Sequence, residues 1–116
     1  MKMNFKNTSA EQSAQVTRAA FPFPAVARGY ESDFRDRLSG CGWGCWYLFI
    51  GRDHPLYKKA SESIGESLLN HEITFCEEGW IGFDLAHVWN NSHHDFDYLL
   101  GEIECQVDEL QRVAGE

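Results

Sequence analysis

Hydrophobic patterning divides the chain into a few short elements. Cys45-Trp46-Tyr47-Leu48-Phe49-Ile50 is an unbroken apolar and aromatic run closed by Gly51, too short for a helix and of the length of a central strand. His71-Glu72-Ile73-Thr74-Phe75-Cys76 alternates with period two. After Glu77-Glu78-Gly79 comes a second strand-like run, Trp80-Ile81-Gly82-Phe83-Asp84-Leu85, and the pair predicts an antiparallel hairpin with a short glycine-containing turn. Near the end the period changes. Leu99, Leu100, Ile103, Val107, Leu110 and Val113 recur in steps of three and four, predicting a helix from about Phe96 to Val113, entered through Ser92-His93-His94-Asp95, with one apolar face on the sheet.

Weaker signals frame this core. Thr8-Ser9-Ala10-Glu11 has the S/T-x-x-E form of a capping box and predicts a short helix through Ala20. Phe21-Pro22-Phe23-Pro24 stops it, because each proline removes a backbone donor, and its phenylalanines are expected to dock on the body. Residues 25 to 44 read as charged and irregular, with Gly40-Cys41-Gly42-Trp43-Gly44 as a hinge or tight loop. A further helix is expected from Ala60 to Leu69, weakened at Gly65 by roughly 1 kcal/mol relative to alanine. The expected fold class is α+β: a small antiparallel sheet of about three strands packed by a C-terminal amphipathic helix, with a short N-terminal helix. Residues 1–116 then form one domain, with 1–44 a variable N-terminal extension and 45–116 the α+β core.

Length and composition agree with one core: 116 residues, 43% hydrophobic and 14% aromatic, bury apolar surface on the scale of a single domain. No apolar run approaches the roughly 20 residues of a bilayer span, and the opening residues lack the apolar stretch of a secretory signal, so the expectation is a cytoplasmic protein without membrane contact. Charge changes the picture more. The net charge is −8, and it is uneven, with residues 1–40 carrying +2 and residues 41–116 carrying −10. On the final helix Asp97, Glu104 and Asp108 lie opposite the apolar stripe, with Glu102 and Glu109 widening an acidic strip. Such a surface repels a phosphate backbone, so direct nucleic-acid binding is not expected, whereas a basic protein surface is attracted.

Two polar clusters interrupt the apolar strands, Arg52-Asp53-His54-Pro55-Leu56-Tyr57 and Phe83-Asp84-Leu85-Ala86-His87. With His71 they offer His54, His71, Asp84 and His87, all near strand ends, as candidate catalytic groups or ligands. If these converge, the set suits a divalent metal or general acid/base work; read structurally, such residues cap loops and bond nearby backbone donors. No metal or other cofactor is otherwise called for. No nucleophile elbow, phosphate loop, H-E-x-x-H helix or calcium loop occurs. Cys41, Cys45, Cys76 and Cys105 do not fall in close C-x2-C pairs, and Cys76 and Cys105 sit in apolar patterns as buried thiols. Trp43, Trp46, Tyr47, Phe49, Tyr57, Trp80, Phe83 and Trp89 cluster around the expected sheet. Most belong to the core, and any left exposed are suited to stack on a base or anchor a protein interface.

His54-Pro55-Leu56-Tyr57, then His71-Glu72-Ile73-Thr74-Phe75, then Trp80-Ile81-Gly82-Phe83-Asp84-Leu85-Ala86-His87 and a C-terminal amphipathic helix resemble a family of small bacteriophage and prophage proteins. Their pattern is HPLY or HPFY, a histidine leading a short strand, and WxGFDxAH. The resemblance spans roughly residues 46–113. Members often continue with Ala-Gly-Asp after the last histidine, where this chain has Val88-Trp89-Asn90, which removes one candidate carboxylate. What the resemblance implies is context: a phage-encoded accessory protein in the cytoplasm of a bacterial host, with counter-defence as a leading role. The function expected on that basis is anti-CRISPR-like inhibition of a bacterial defence protein or nucleoprotein complex, by occluding its nucleic-acid-binding surface through Glu102, Glu104, Asp108 and Glu109 with Trp89 as an aromatic anchor. The alternative is a small-molecule or nucleotide-binding protein, or a metal-dependent hydrolase, built on His54, His71, Asp84 and His87.

Overall fold

The computed structural model describes residues 5–31, 41–62, 73–86 and 93–114. Among the described residues five strands and three helices follow one another as β1 (Phe5–Asn7), α1 (Ala10–Ala20), β2 (Ala25–Tyr30), β3 (Gly44–Phe49), α2 (Pro55–Glu62), β4 (Phe75–Glu77), β5 (Trp80–Asp84) and α3 (Phe96–Ala114). All strand pairs are antiparallel, in the order β1-β2-β3-β5-β4. The class is α+β as expected, but the sheet has five strands where about three were expected. The two additions come from the first thirty residues. The expected boundary at residue 44 therefore falls inside the sheet: β2 lies between β1 and β3, and Val16, Ala20 and Ala27 belong to the main core.

The register explains why β2 is hard to read. On the face that receives the helices, Ala27 stands beside Trp46 and Phe83, and Ala25 beside Leu48 and Ile81. Bulk on this face comes from β3 and β5, where Trp46 and Phe83 stack at 5.1 Å. The alanines of β2 leave room for α1 and so give no hydrophobic signal of their own. Gly29 extends the same logic, since a Cβ there would lie 2.9 Å from the Trp43 ring, which covers it.

The helices start where their caps are. Ser9, one residue after the expected Thr8, caps α1 by accepting the Gln12 N–H at 3.1 Å, and the Gln12 side chain accepts the Ser9 N–H in return. Phe23 then packs on the core as expected, while Phe21 does not dock and is 78% exposed. Asp95 opens α3 by accepting the Tyr98 N–H at 3.0 Å. Leu99, Ile103, Val107 and Leu110 of α3 are buried against the sheet and α1, so the expected stripe is the one used. The helix expected at 60–69 begins earlier, at Pro55, and residues 63–72 lie outside the described residues. Between β4 and β5, Glu78 and Gly79 have φ of 56° and 88°, the two-residue turn whose twist matches that of the strands it joins. Among the described residues no helix is long and apolar enough to cross a membrane.

Candidate functional site

The other face of the sheet carries Val26 and Arg28 from β2, Tyr47 and Phe49 from β3, Trp80 and Gly82 from β5 and Phe75 from β4, placed together by register. Val26, Phe49 and Phe75 are 45%, 38% and 37% exposed, on the face away from the packed helices. Large apolar side chains from three strands sharing one face that none of the described helices covers are a feature that solubility alone disfavours.

The aromatic groups on this face brace one another. Tyr47 and Phe75 meet edge to face at 5.4 Å, and Phe49 and Trp80 are 5.3 Å apart. Gly82 lies between Tyr47 and Phe75 in register, and a Cβ there would stand 2.7 Å from the Tyr47 ring and 2.8 Å from Phe75 Cβ. Its lack of a side chain lets both rings settle over the strand. A shallow cavity of about 320 Å³ results, lined by Val26, Arg28, Tyr47, Phe75 and Trp80. A second, of about 200 Å³, shares Tyr47 and Phe75 and includes Phe5, Tyr30, Cys45, Thr74 and Asp84.

Burial holds the thiol and the two phenols of the second cavity neutral. Burial pushes the Cys45 thiol up to about 11, against a weaker opposing effect of its hydrogen bond to the Tyr47 hydroxyl at 3.7 Å. Burial likewise raises Tyr47 to about 12, and raises Tyr30 still further with help from Cys45 and Asp84. A thiol in this state has almost no thiolate at neutral pH and is a poor nucleophile.

The four candidate catalytic residues fare unequally. His54 caps α2: its Nδ1 accepts the Leu56 N–H at 3.1 Å, which leaves the ring proton on Nε2 to donate to the Leu110 carbonyl of α3 at 3.1 Å. Both nitrogens are thus engaged by backbone. Asp84 accepts the Ala86 N–H at 3.0 Å, a local turn bond. Asp84 pairs with Cys45 at one end of β3, whereas His54 follows Phe49 at the other end, which is about 13 Å from Cys45 along the strand. These two are not brought together. His71 and His87 lie outside the described residues, as does Trp89. Among the described residues, no group of three His, Cys, Asp or Glu side chains is arranged to hold a metal ion.

No family model, curated protein or solved structure matches the chain. Its chemistry is therefore read from geometry.

The acidic residues of α3 divide by exposure. Glu104 and Asp108 are exposed, together with Asp97 one turn and more upstream, while Glu102 and Glu109 are half-buried on the flank. Glu109 is held by Arg112 at 2.8 Å, so it is the least available of the set. Tyr98, 38% exposed, hydrogen-bonds Glu102 and supplies an aromatic ring beside the strip; burial, then the Glu102 charge and that hydrogen bond, raise its pKa. Because the inner side of α3 lies on the sheet, the strip and the open aromatic face point away from each other. Cysteine placement also differs from expectation: Cys41 and Cys45 are buried, Cys76 is half-buried, Cys105 is exposed, and all four are free.

Val26, Arg28 and Phe75 were missed as site residues. The available signal was the alternation of large and small residues in Val26-Ala27-Arg28-Gly29-Tyr30, obscured because the small set faces the core.

Proposed function

We propose that the protein acts by binding rather than by catalysis, as an inhibitor whose acidic helix α3 faces the basic nucleic-acid-binding surface of a bacterial defence protein or complex. The observation that carries this reading is the outer side of α3: Asp97, Glu104 and Asp108 stand exposed in one row on a helix whose opposite side buries Leu99, Ile103, Val107 and Leu110. Five carboxylates against one arginine on this helix give a field that steers a basic partner and repels nucleic acid. Tyr98 supplies an aromatic anchor at the strip; Trp89, the anchor expected from the sequence, lies outside the described residues. The bacteriophage setting comes from the motif resemblance alone.

The engaged state of His54, the turn bond of Asp84 and the neutral Cys45 thiol all favour binding over acid/base or nucleophilic chemistry. The test is affinity capture from lysate of a bacterium with an active nucleic-acid-targeting defence, with the wild-type chain and a Glu104→Lys/Asp108→Lys variant as baits. The expected result is recovery of a defence nuclease or its complex by the wild type, weakened by salt and by the double reversal. Recovery that is indifferent to both salt and reversal contradicts the mechanism.

A further inference from the structure

Arg28 is set apart from the other charges of the open face. The chain has 18 acidic and 10 basic side chains, yet among the described residues the guanidinium of Arg28 makes no hydrogen bond and no ion pair. Its cross-strand neighbours are Asn7 of β1 and the neutral Cys45 of β3, and Asp84 lies one strand beyond Cys45, roughly 9 to 10 Å across the sheet. It lines the 320 Å³ cavity, whose remaining walls are Val26, Tyr47, Phe75 and Trp80. A guanidinium unpaired in an acidic chain, at the rim of aromatic walls, has its fork of donors free for a bidentate anion.

We propose that this cavity is a binding site for a free mononucleotide, the base lying against Trp80 and Phe75 and the phosphate held by Arg28. The complementarity is specific on three counts. Rings of Tyr47, Phe75 and Trp80 present π faces and edges of the kind on which bases stack. One cation matches one phosphate group. The volume sits at the small end of ligand cavities, enough for one planar ring with its anionic group. A polynucleotide is the disfavoured source of the same chemistry, because a run of phosphates meets a chain of net charge −8 with one arginine to offset it.

This site is on the face of the sheet opposite α3, so it stands independently of the inhibitor reading. The experiment is a titration of the full chain with each of the four ribonucleoside 5′-monophosphates, followed by calorimetry and by NMR shifts of Trp80 and Arg28. Parallel titrations use adenosine, ribose 5-phosphate and a twelve-residue oligodeoxyadenylate. At least one monophosphate is expected to saturate, with adenosine and ribose 5-phosphate each at least about tenfold weaker and Arg28→Gln costing about tenfold or more, as for loss of a charge-assisted bond. Phe75→Ala, at an exposed position, is expected to weaken binding while circular dichroism shows the fold retained. Absence of saturation by all four monophosphates, or equal affinity in Arg28→Gln, overturns the proposal. Tighter binding of the oligonucleotide than of any monophosphate overturns it in favour of a single-stranded polymer. Glu104→Lys/Asp108→Lys serves as the control for the other face and is expected to bind the nucleotide as the wild type does.

Discussion

Gln106 is the one fully buried polar residue of the described core, and among the described residues neither its Nε2 nor its Oε1 has a hydrogen-bond partner. It lies on the inner side of α3, three residues after Ile103 and four before Leu110, both fully buried. A buried amide left unpaired costs about 1–3 kcal/mol in proteins. Methionine has nearly the same length and an adaptable, unbranched side chain, so Gln106→Met removes that cost without opening a cavity or overpacking the site. The expected gain is about 2 kcal/mol, or about 8 °C in Tm for a domain of this length. Urea unfolding followed by the fluorescence of buried Trp43 and Trp46 measures it directly, with an unchanged m-value as the sign that the denatured state is unaffected. A Met variant equal to or less stable than the wild type would refute the reasoning, because it would mean that the amide is satisfied in solution.

Other parts of the structure yield independent expectations. Glu78→Asn places a residue that tolerates left-handed backbone at φ 56°, and should stabilise by about 0.5 to 1 kcal/mol even after losing the exposed 3.6 Å ion pair to Arg52; a melt that falls contradicts the turn assignment. His54→Ala removes both the cap of α2 and its tie to the Leu110 carbonyl, for an expected loss of about 1 to 2 kcal/mol in chemical denaturation, and an unaltered midpoint would show that the two bonds contribute nothing. Alkali should destabilise the fold. Cys45 rises on folding from 9.0 to about 11 and Tyr47 from 10.0 to about 12, so the unfolded chain loses these protons first; their stabilisation is whole below about pH 9 and declines as pH rises through the folded values. For buried Cys45 this amounts to about 3 kcal/mol, and Cys45→Ala should flatten the decline between pH 9 and 11, a slope that a series of urea titrations can compare.

Elements whose own side chains supply the burial were legible in the sequence. The β3 run, β5 with the Gly79 turn before it and the α3 stripe carry their large residues themselves and differ from the expected bounds by one residue, whereas β4, expected from His71 to Cys76, is the shorter Phe75–Glu77. β2 was not legible because its inward positions are Ala25, Ala27 and Gly29, small so that α1 and Trp43 can approach, and β1 is too short to show any period. The site divides similarly. The acidic strip of α3 follows from helical spacing and is exposed at Glu104 and Asp108. Convergence of His54 with Asp84 did not follow, because nearness to strand ends does not say which end; β3 and β5 run antiparallel and set the two residues apart. The open aromatic face depends on which side of the sheet the helices choose, and that choice is fixed by contacts distant in sequence.

The central claim is that the α3 face and nucleic acid compete for one basic surface. The most direct measurement takes the captured defence complex, purified, and titrates the chain against a labelled cognate nucleic acid by fluorescence anisotropy and native mass spectrometry. The account predicts displacement of the nucleic acid with mutually exclusive occupancy, lost in Glu104→Lys/Asp108→Lys while its melting curve remains that of a folded protein. A ternary complex holding the chain and the nucleic acid together, at unchanged nucleic-acid affinity, would contradict it.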